Sequence, residues 1–298
     1  MKINDLKGFD IINNKNLNSN FLSIDHNKLK LNCKIYKGDF YSDSYNYFPI
    51  TKDEKTFLDL YSWGKKSKYK NFFQSEFYKN FQKKKRNFKV FQDITLLGSS
   101  AINNYYTNLI IFLPRIFFIP DTKINLGIHR HSSNNYRKFI KDILESAGKK
   151  IKKFVYLDDD FYSFKNSQIP QFFSNEKSIK ILNQLPANIP NNIDNKIYIT
   201  RQDANYRNII NEQDLIGELK KNNFRIINTN NFSLHDQIKI FSSAKIIVSP
   251  TGSSLANLVF CKKGTKVFEI LPRYNLPSEN NLKKRYSDIC KILDLKYF

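Results

Sequence analysis

The chain predicts an α/β protein with two doubly wound units facing across a cleft, and three observations carry that expectation. From about Asn188, apolar strands alternate with helices of 10 to 12 residues, the pattern of a parallel sheet. Lys245 to Val248 and Val267 to Leu271 are nearly continuous apolar runs, as strands covered on both faces require. A second strand-helix-strand pattern lies upstream, separated by Gln184 to Asn195, whose Pro186, Pro190 and four Asn mark a linker.

Taken in order, residues 1–90 show only short strands followed by basic helices and no clear period. The upstream unit then comprises a strand at Asn125 to Ile128, a helix at Asn134 to Ala147, a strand at Phe154 to Leu157 and a further stretch through Ile169. After the linker come a strand at Lys196 to Thr200, a helix at Glu212 to Asn222, a strand at Phe224 to Asn228 and a helix at Leu234 to Ala244. Next are a strand at Lys245 to Ser249, a glycine-led helix and a strand at Lys266 to Leu271. The expected division is therefore 1–187 and 188–298, with a ligand in the cleft between the two.

The 298 residues carry a formal charge of +22, which raises nucleic-acid binding as a first thought. Composition argues against it. Forty of the basic residues are Lys and only nine are Arg, beside 37 Asn, a bias that A/T-rich codons produce. Arg is the residue favoured for bidentate phosphate and base-edge contacts, so no specific nucleic-acid partner is expected. Charge is densest from Lys52 to Lys89, with Tyr61, Trp63, Phe72, Phe73, Phe77 and Phe81 interleaved. A solvated lysine face is the plain reading, and contact with an anionic membrane or acidic glycan the functional one.

Cys33, Cys261 and Cys290 are far apart and in no C-x-x-C spacing, so neither a disulfide framework nor a zinc site is indicated. Met1 to Asn20 has no signal-peptide core, and the longest apolar run, Leu109 to Ile119, is broken by Pro114 and Arg115. That run falls short of the roughly 20 residues of a membrane span. A cytoplasmic protein is expected, with peripheral contact at the inner membrane face.

The most informative stretch is Ser249-Pro250-Thr251-Gly252-Ser253-Ser254, where a strand turns into a helix. Such a turn aims backbone N–H groups and small hydroxyls at an anion, as where a diphosphate sits on a helix N-terminus. Gly252 permits an unusual backbone angle or a close approach, Ser253 or Ser254 can cap the helix, and Asn257 lies one α-helical turn beyond Ser253. Arg201 and Arg207 follow the strand at Lys196 to Thr200, at the edge where open α/β sheets bind ligands, and a guanidinium suits diphosphate oxygens. A surface pair with Asp203, Glu212 or Asp214 is the competing reading for either. Asn211 is an expected N-cap, Glu212 complements the helix dipole, and Glu269 can accept ribose hydroxyls or pair with Arg273.

These residues resemble the family-61 glycosyltransferases. The matching pieces are Tyr198-Ile199-Thr200-Arg201 with Arg207 and Asn211-Glu212, then Pro250 through Phe260, Gly264-Thr265-Lys266-Val267 and Glu269-Ile270-Leu271-Pro272. Upstream, Asn104-Tyr105-Tyr106-Thr107-Asn108-Leu109 and Leu113-Pro114-Arg115 are similar to the family's Asn-Tyr-Tyr-His-Trp-Leu and Leu-Pro-Arg, with Thr107 replacing the His and Asn108 the Trp. The resemblance implies a GT-B fold of two Rossmann-like domains. It also implies a nucleotide-sugar donor held mainly by the C-terminal domain, a glycan or lipid-linked acceptor met by Asn104, Tyr105, Thr107 and Arg115, and an inverting, metal-independent reaction of the bacterial capsule type. No cofactor is expected beyond the nucleotide sugar as co-substrate.

Asp158-Asp159-Asp160 is the one carboxylate trio that could hold a hard cation, but consecutive residues in an extended chain point apart, so no metal is expected. An inverting transfer needs a base for the acceptor hydroxyl. His129, His131, Asp93 and Asp158 are the candidates, and nothing in the sequence selects among them; alternate residues such as His129 and His131 share a ligand only if the strand has ended. Two rival readings stand beside the transferase. One is a catalytically silent module binding anionic glycan or membrane through the Lys-rich N-terminal region, suggested by Thr107; the other is a sugar-nucleotide epimerase.

Overall fold

The computed structural model describes residues 9–12, 33–43, 49–52, 76–84, 87–98, 104–146, 149–158, 160–185, 196–204, 208–272 and 279–298. Backbone contacts divide the chain into two units. Among the described residues the first runs to Ser174 and the second from Asn175 to Phe298.

The first unit is built on β1 (Phe9–Ile12), β2 (Cys33–Asp43), β3 (Lys89–Gln92), β4 (Ile94–Leu96), β5 (Lys123–His129), β6 (Lys150–Leu157) and β7 (Phe161–Pro170). Its sheet runs β1-β2-β7-β4-β5-β6, with β3 also on β7. Strands β4, β5 and β6 are mutually parallel, and β3 and β4 run parallel to β7, whereas β1, β2 and β7 pair antiparallel. The sheet is thus mixed, where the sequence predicts a parallel one. The antiparallel strands come largely from the N-terminal stretch that shows no period.

The elements of this unit follow from apolar spacing. In α3 (Asn134–Ser146), which follows α1 (Glu76–Lys84) and the one-turn α2 (Tyr105–Thr107), residues Tyr136, Ile140, Ile143 and Leu144 are buried at helical spacing. In β5, Ile124, Leu126 and Ile128 are buried, and Gly127 lets β4 approach: a Cβ there would lie 3.0 Å from Ile94 and 3.2 Å from Leu96. Phe81 of α1 is fully buried and packs on Phe161 at 5.1 Å between ring centroids, while Phe40 stacks on Phe164 at 5.3 Å. Part of the aromatic content of the basic stretch therefore serves the core; Tyr61, Trp63, Phe72 and Phe73 lie outside the described residues.

One crease crosses this sheet. Gly38 in β2, Asn166 in β7 and Asp93 between β3 and β4 all have positive φ, at 148°, 43° and 56°. Asn and Asp tolerate that region better than other non-glycine residues. Hydrogen bonds from Asn166 tie the crease together: it donates its backbone N–H to Asp39 Oδ1 at 2.9 Å and its side-chain amide to Asp93 Oδ1 at 2.5 Å.

In the second unit α4 (Asn175–Leu182) precedes β8 (Lys196–Ile199), and α5 (Glu212–Lys221) leads to β9 (Arg225–Ile227). Helix α6 (Leu234–Ser243), β10 (Ile246–Pro250), a 3-10 helix (Ser253–Phe260) and β11 (Lys266–Ile270) follow, then α7 (Glu279–Ile292) and β12 (Lys296–Tyr297). All five strands pair in parallel in the order β12-β11-β10-β8-β9. The expected strands thus recur within a residue or two. Helix α4 was not expected; it packs on α7 and on the 3-10 helix, and Asn183 Nδ2 donates to the carbonyls of Val259 and Cys261 at 2.8 and 2.9 Å. Those contacts are why the second unit begins at Asn175, ahead of the expected boundary at 188. The linker itself lies mostly outside the described residues.

Cys33, Cys261 and Cys290 are buried free thiols. Burial pushes Cys33 and Cys290 up to about 12, keeping both protonated.

Candidate functional site

The second sheet carries a topological switch. From β8 the chain passes to β9 on one side and then crosses to β10 on the other, so the loops leaving β8 and β10 diverge at the strands' C-terminal edge. Open α/β sheets bind ligands in such a crevice. Strands β8 and β10 are adjacent, with Val248 opposite Tyr198, and so Thr200-Arg201 and Thr251-Gly252 emerge side by side.

Gly252 and Arg201 touch. A Cβ at position 252 would overlap Arg201 Nη1 and sit 3.0 Å from Arg201 Cζ. Gly252 has φ −178°, extended backbone open to any residue, so its smallness serves the guanidinium and not an unusual angle. It is also the N-cap of the 3-10 helix, with no side-chain cap. The N–H groups that open a helix have no acceptor further back in it, so they remain available to an anion. The expectation that Ser253 or Ser254 caps the helix is corrected: Ser253 is exposed, and the Ser254 hydroxyl lies 2.7 Å from that of Thr229. Thr251 is 1% exposed, donates its N–H to Ile270 O, and its hydroxyl has no partner among the described residues.

Glu212 holds the other loop in place. It is 4% exposed, and its Oε1 accepts from Tyr198 Oη at 2.7 Å, Thr200 Oγ1 at 2.9 Å and the backbone N–H of Arg201 at 3.3 Å. Burial, and then the bond to Glu212, pushes the Tyr198 phenol well up, so it stays a donor. Glu212 is therefore a positioning residue beneath Arg201, more than a complement to a helix dipole. Asn211 occupies the N-cap of α5 but is exposed and makes no side-chain cap bond. Asp203 bonds to Asn228 and Asn230, which hold its carboxyl below the usual range and tie the β8 loop to the loop after β9. Arg207 lies outside the described residues.

Two expected donor-site residues are drawn into the packing. Asn257 is fully buried and donates Nδ2 to Gln237 Oε1 at 2.8 Å; Gln237 in turn donates to the carbonyls of Thr229 and Phe232. A 3-10 turn repeats every three residues, so Asn257 shares a face with Ser254 and not with Ser253, which undoes the α-helical spacing argument. Glu269 is 9% exposed and accepts from Tyr297 Oη at 2.7 Å, so its partner in the structure is a phenol of β12. Arg273 is outside the described residues.

In the first unit, His129 ends β5 and Asp158 follows β6, both at the C-terminal edge of the parallel strands. The strand has ended by His131, and the two rings lie 5.4 Å apart. His129 is 1% exposed and its Nδ1 accepts the His131 N–H at 3.1 Å, which in the neutral ring leaves the proton on Nε2 and makes that atom a donor. Asp158 is held by both Nε and Nη2 of Arg130, at 2.5 and 3.0 Å. Asp93 precedes β4 and lies at the opposite edge, so it shares no site with His129 or Asp158.

The upstream motif divides likewise. Asn104 caps α2 by accepting from Thr107 N, Tyr105 packs edge-on against Phe139, and Thr107 is half-buried. Arg115 is fully buried: Nε and Nη2 donate to Pro170 O, Nη1 donates to Leu97 O, and its guanidinium lies 3.7 Å from the Phe172 ring centre. It clamps the ends of β4 and β7 together, which corrects its expected acceptor-side place.

The residues missed in the sequence are Thr229 and Gln237, which left no signal there; Tyr198 stands in the matching Tyr198-Ile199-Thr200-Arg201 run, but its bond to Glu212 is seen only in the structure. Among the described residues no group of three or more His, Cys, Asp or Glu could hold a metal ion, and no helix is long and apolar enough to cross a membrane.

Comparison with curated proteins gave no match. The sequence pattern of the family described as Glycosyltransferase 61 matches residues 105–268, which takes in β5 to β7, the Arg201 loop, the Gly252 turn and most of β11. With more than half of its length inside that match, the chain belongs to the glycosyltransferase 61 family and is a glycosyltransferase.

Proposed function

We propose that this glycosyltransferase moves a sugar from a nucleotide-sugar donor to a glycan or lipid-linked acceptor, with inversion and without a metal, and that the donor's diphosphate lies in the crevice between β8 and β10. The single observation that carries this is the contact of Arg201 with Gly252 at the topological switch. It brings a guanidinium against the backbone that opens the 3-10 helix.

The chemistry follows from charge. Breaking the bond between sugar and diphosphate builds negative charge on the leaving oxygens, and fixed donors aimed at them lower the barrier. Arg201 and the N–H groups of Gly252, Ser253 and Ser254 are those donors in this reading, with Arg207 as a second guanidinium. Asn211 and Glu269 stand at the margins of the same sheet edge for the nucleoside. The acceptor side belongs to the first unit, where Asn104, Tyr105 and Thr107 carry the family's upstream motif. His131 and Asp158 remain the candidates for the base. We place the enzyme in surface-polysaccharide assembly of the bacterial capsule type, in the cytoplasm and peripheral on the inner membrane face, on the strength of the family resemblance and the +22 charge.

A thermal-shift screen with UDP, GDP and CMP sugars tests the reading. A bound donor stabilises by mass action, about 2.7 kcal/mol at a hundredfold excess over Kd. The shift is expected with one nucleotide class and is lost in Arg201→Ala. No shift with any of the panel would sink the proposal.

A further inference from the structure

A polar cavity of about 150 Å³ lies in the first unit at the starts of β4, β5 and β6, beside the crease. This is the edge of the sheet opposite to His129 and Asp158, and it belongs to a different unit from the Arg201 crevice. At about 30 Å³ of liquid volume per water, that is the space of about five waters, and the cavity opens to solvent, so a sugar can seat its charged end there and extend outward.

The lining has an unusual balance. Lys37, Lys123 and Lys152 all border the cavity, and none forms an ion pair among the described residues. Lys149 lies behind it, 3% exposed, donating its ammonium to the carbonyls of Ile119 and Asp121 and so fixing the turn that carries the Asp121 carboxylate. Asp93 and Asp121 are the carboxylates of the wall, so three ammonium groups face two carboxylates, an excess of one positive charge.

Gln168 supplies the second observation. It is 6% exposed and lines the cavity. Its Nε2 donates to Asp121 Oδ2 at 2.5 Å and to Thr95 Oγ1 at 2.9 Å. An ionised carboxylate only accepts, so the amide cannot be flipped without losing that bond. Oε1 is left buried with no partner among the described residues, at a penalty of roughly 1–3 kcal/mol for such a group. A group that satisfies it has to donate a hydrogen bond, as does one that satisfies the Asp93 carboxylate.

We propose that this cavity is a second carbohydrate site, which takes a sugar bearing an oxyanion: a hexose phosphate or a uronate residue. The oxyanion meets Lys37, Lys123 and Lys152, and ring hydroxyls donate to Gln168 Oε1 and to the wall carboxylates. Inorganic phosphate alone is a poorer fit, because its dianion offers a single donor and fills less of the volume. The site does not rest on the reading of the Arg201 crevice.

Titration calorimetry on the full chain, with glucose 1-phosphate, glucuronate, inorganic phosphate and glucose as probes, tests it. Glucose 1-phosphate or glucuronate is expected to bind at least tenfold more tightly than phosphate or glucose. The tighter of the two identifies the source, a free sugar phosphate or an acidic glycan residue. Lys123→Ala combined with Lys152→Ala, at exposed positions that leave the core untouched, should weaken that binding at least tenfold, and Arg201→Ala should leave it unchanged. The proposal is overturned if neither acidic sugar binds, if phosphate binds equally well, if the lysine variant binds as the parent does, or if Arg201→Ala abolishes binding.

Discussion

Arg201 occupies the space that a side chain at position 252 would need, so the guanidinium carried by one loop rests on the backbone of the loop leaving the adjacent strand. Neither residue explains itself alone. Gly252 has an ordinary extended backbone, and Arg201 sits on a loop fastened by Glu212.

This relationship predicts non-additive variants. Gly252→Ala should displace the guanidinium and remove the donor-induced thermal shift, with a loss in kcat on the scale of one lost charge-stabilising donor, about 3 kcal/mol or a hundredfold. Arg201→Ala should lose a similar amount. Because both act through the same guanidinium, the double variant should lose little more than either single one. Kinetics of all four proteins make the check, and additive losses would show that Gly252 does not act through Arg201.

Glu212 gives a second prediction. Removing its carboxylate leaves the Tyr198 and Thr200 hydroxyls and the Arg201 N–H without their shared acceptor in a site that is 4% exposed. At roughly 1–3 kcal/mol for a buried polar group left unsatisfied, Glu212→Ala should lower stability by about 3 kcal/mol, and Tyr198→Phe, which removes one donor, by about 1 kcal/mol. Urea midpoints measure both. Glu212→Gln retains an acceptor oxygen and should fall between the parent and the alanine variant.

The strands of the second unit were legible from apolar runs such as Ile197 to Ile199, which is buried on both faces; β11 departs from that expectation, since Val267 is buried while Lys266 and Phe268 are exposed. The convergence of Arg201 with the Gly252 turn was legible too, since both follow strands at the same sheet edge. The 3-10 character of Ser253–Phe260 was not, because its apolar residues satisfy either helical period, and so Asn257 was assigned to the wrong face. Helix α4 went unseen because it is short and mixes Glu and Lys with its apolar residues. Arg115 shows a different limit: a motif fixes which residue stands at a position, not whether its partners are a ligand or the protein's own carbonyls.

That limit yields the third prediction. Arg115 is fully buried and donates to two main-chain carbonyls at the ends of β4 and β7. Arg115→Met fills similar volume yet leaves Leu97 O and Pro170 O without these donors, so stability should fall by roughly 3 kcal/mol or more. Arg115→Lys should recover only part of that, because an ammonium cannot reproduce the planar fork that meets both carbonyls. The KM for acceptor, measured at low temperature where the variants stay folded, should remain near the parent value. A raised acceptor KM with unchanged stability would instead return Arg115 to the acceptor site.

The crease supplies a pH test. The Asn166 N–H, then Lys52 and Lys165, hold the Asp39 carboxyl at about 2, below the ordinary carboxylate range. A depressed folded-state pKa means that the unfolded chain binds the proton first as pH falls. The stabilisation by Asp39 is therefore complete above the unfolded value of roughly 3.9, declines below it, and is gone once pH drops through about 2. Asp39 is partly exposed, so water and salt screen the contribution and raised ionic strength should shrink it. Urea midpoints of the parent and Asp39→Asn, followed from pH 6 to pH 2, should differ at the upper end and converge toward the lower one. A gap that stays constant across that range would show that Asp39 acts by shape and not by charge.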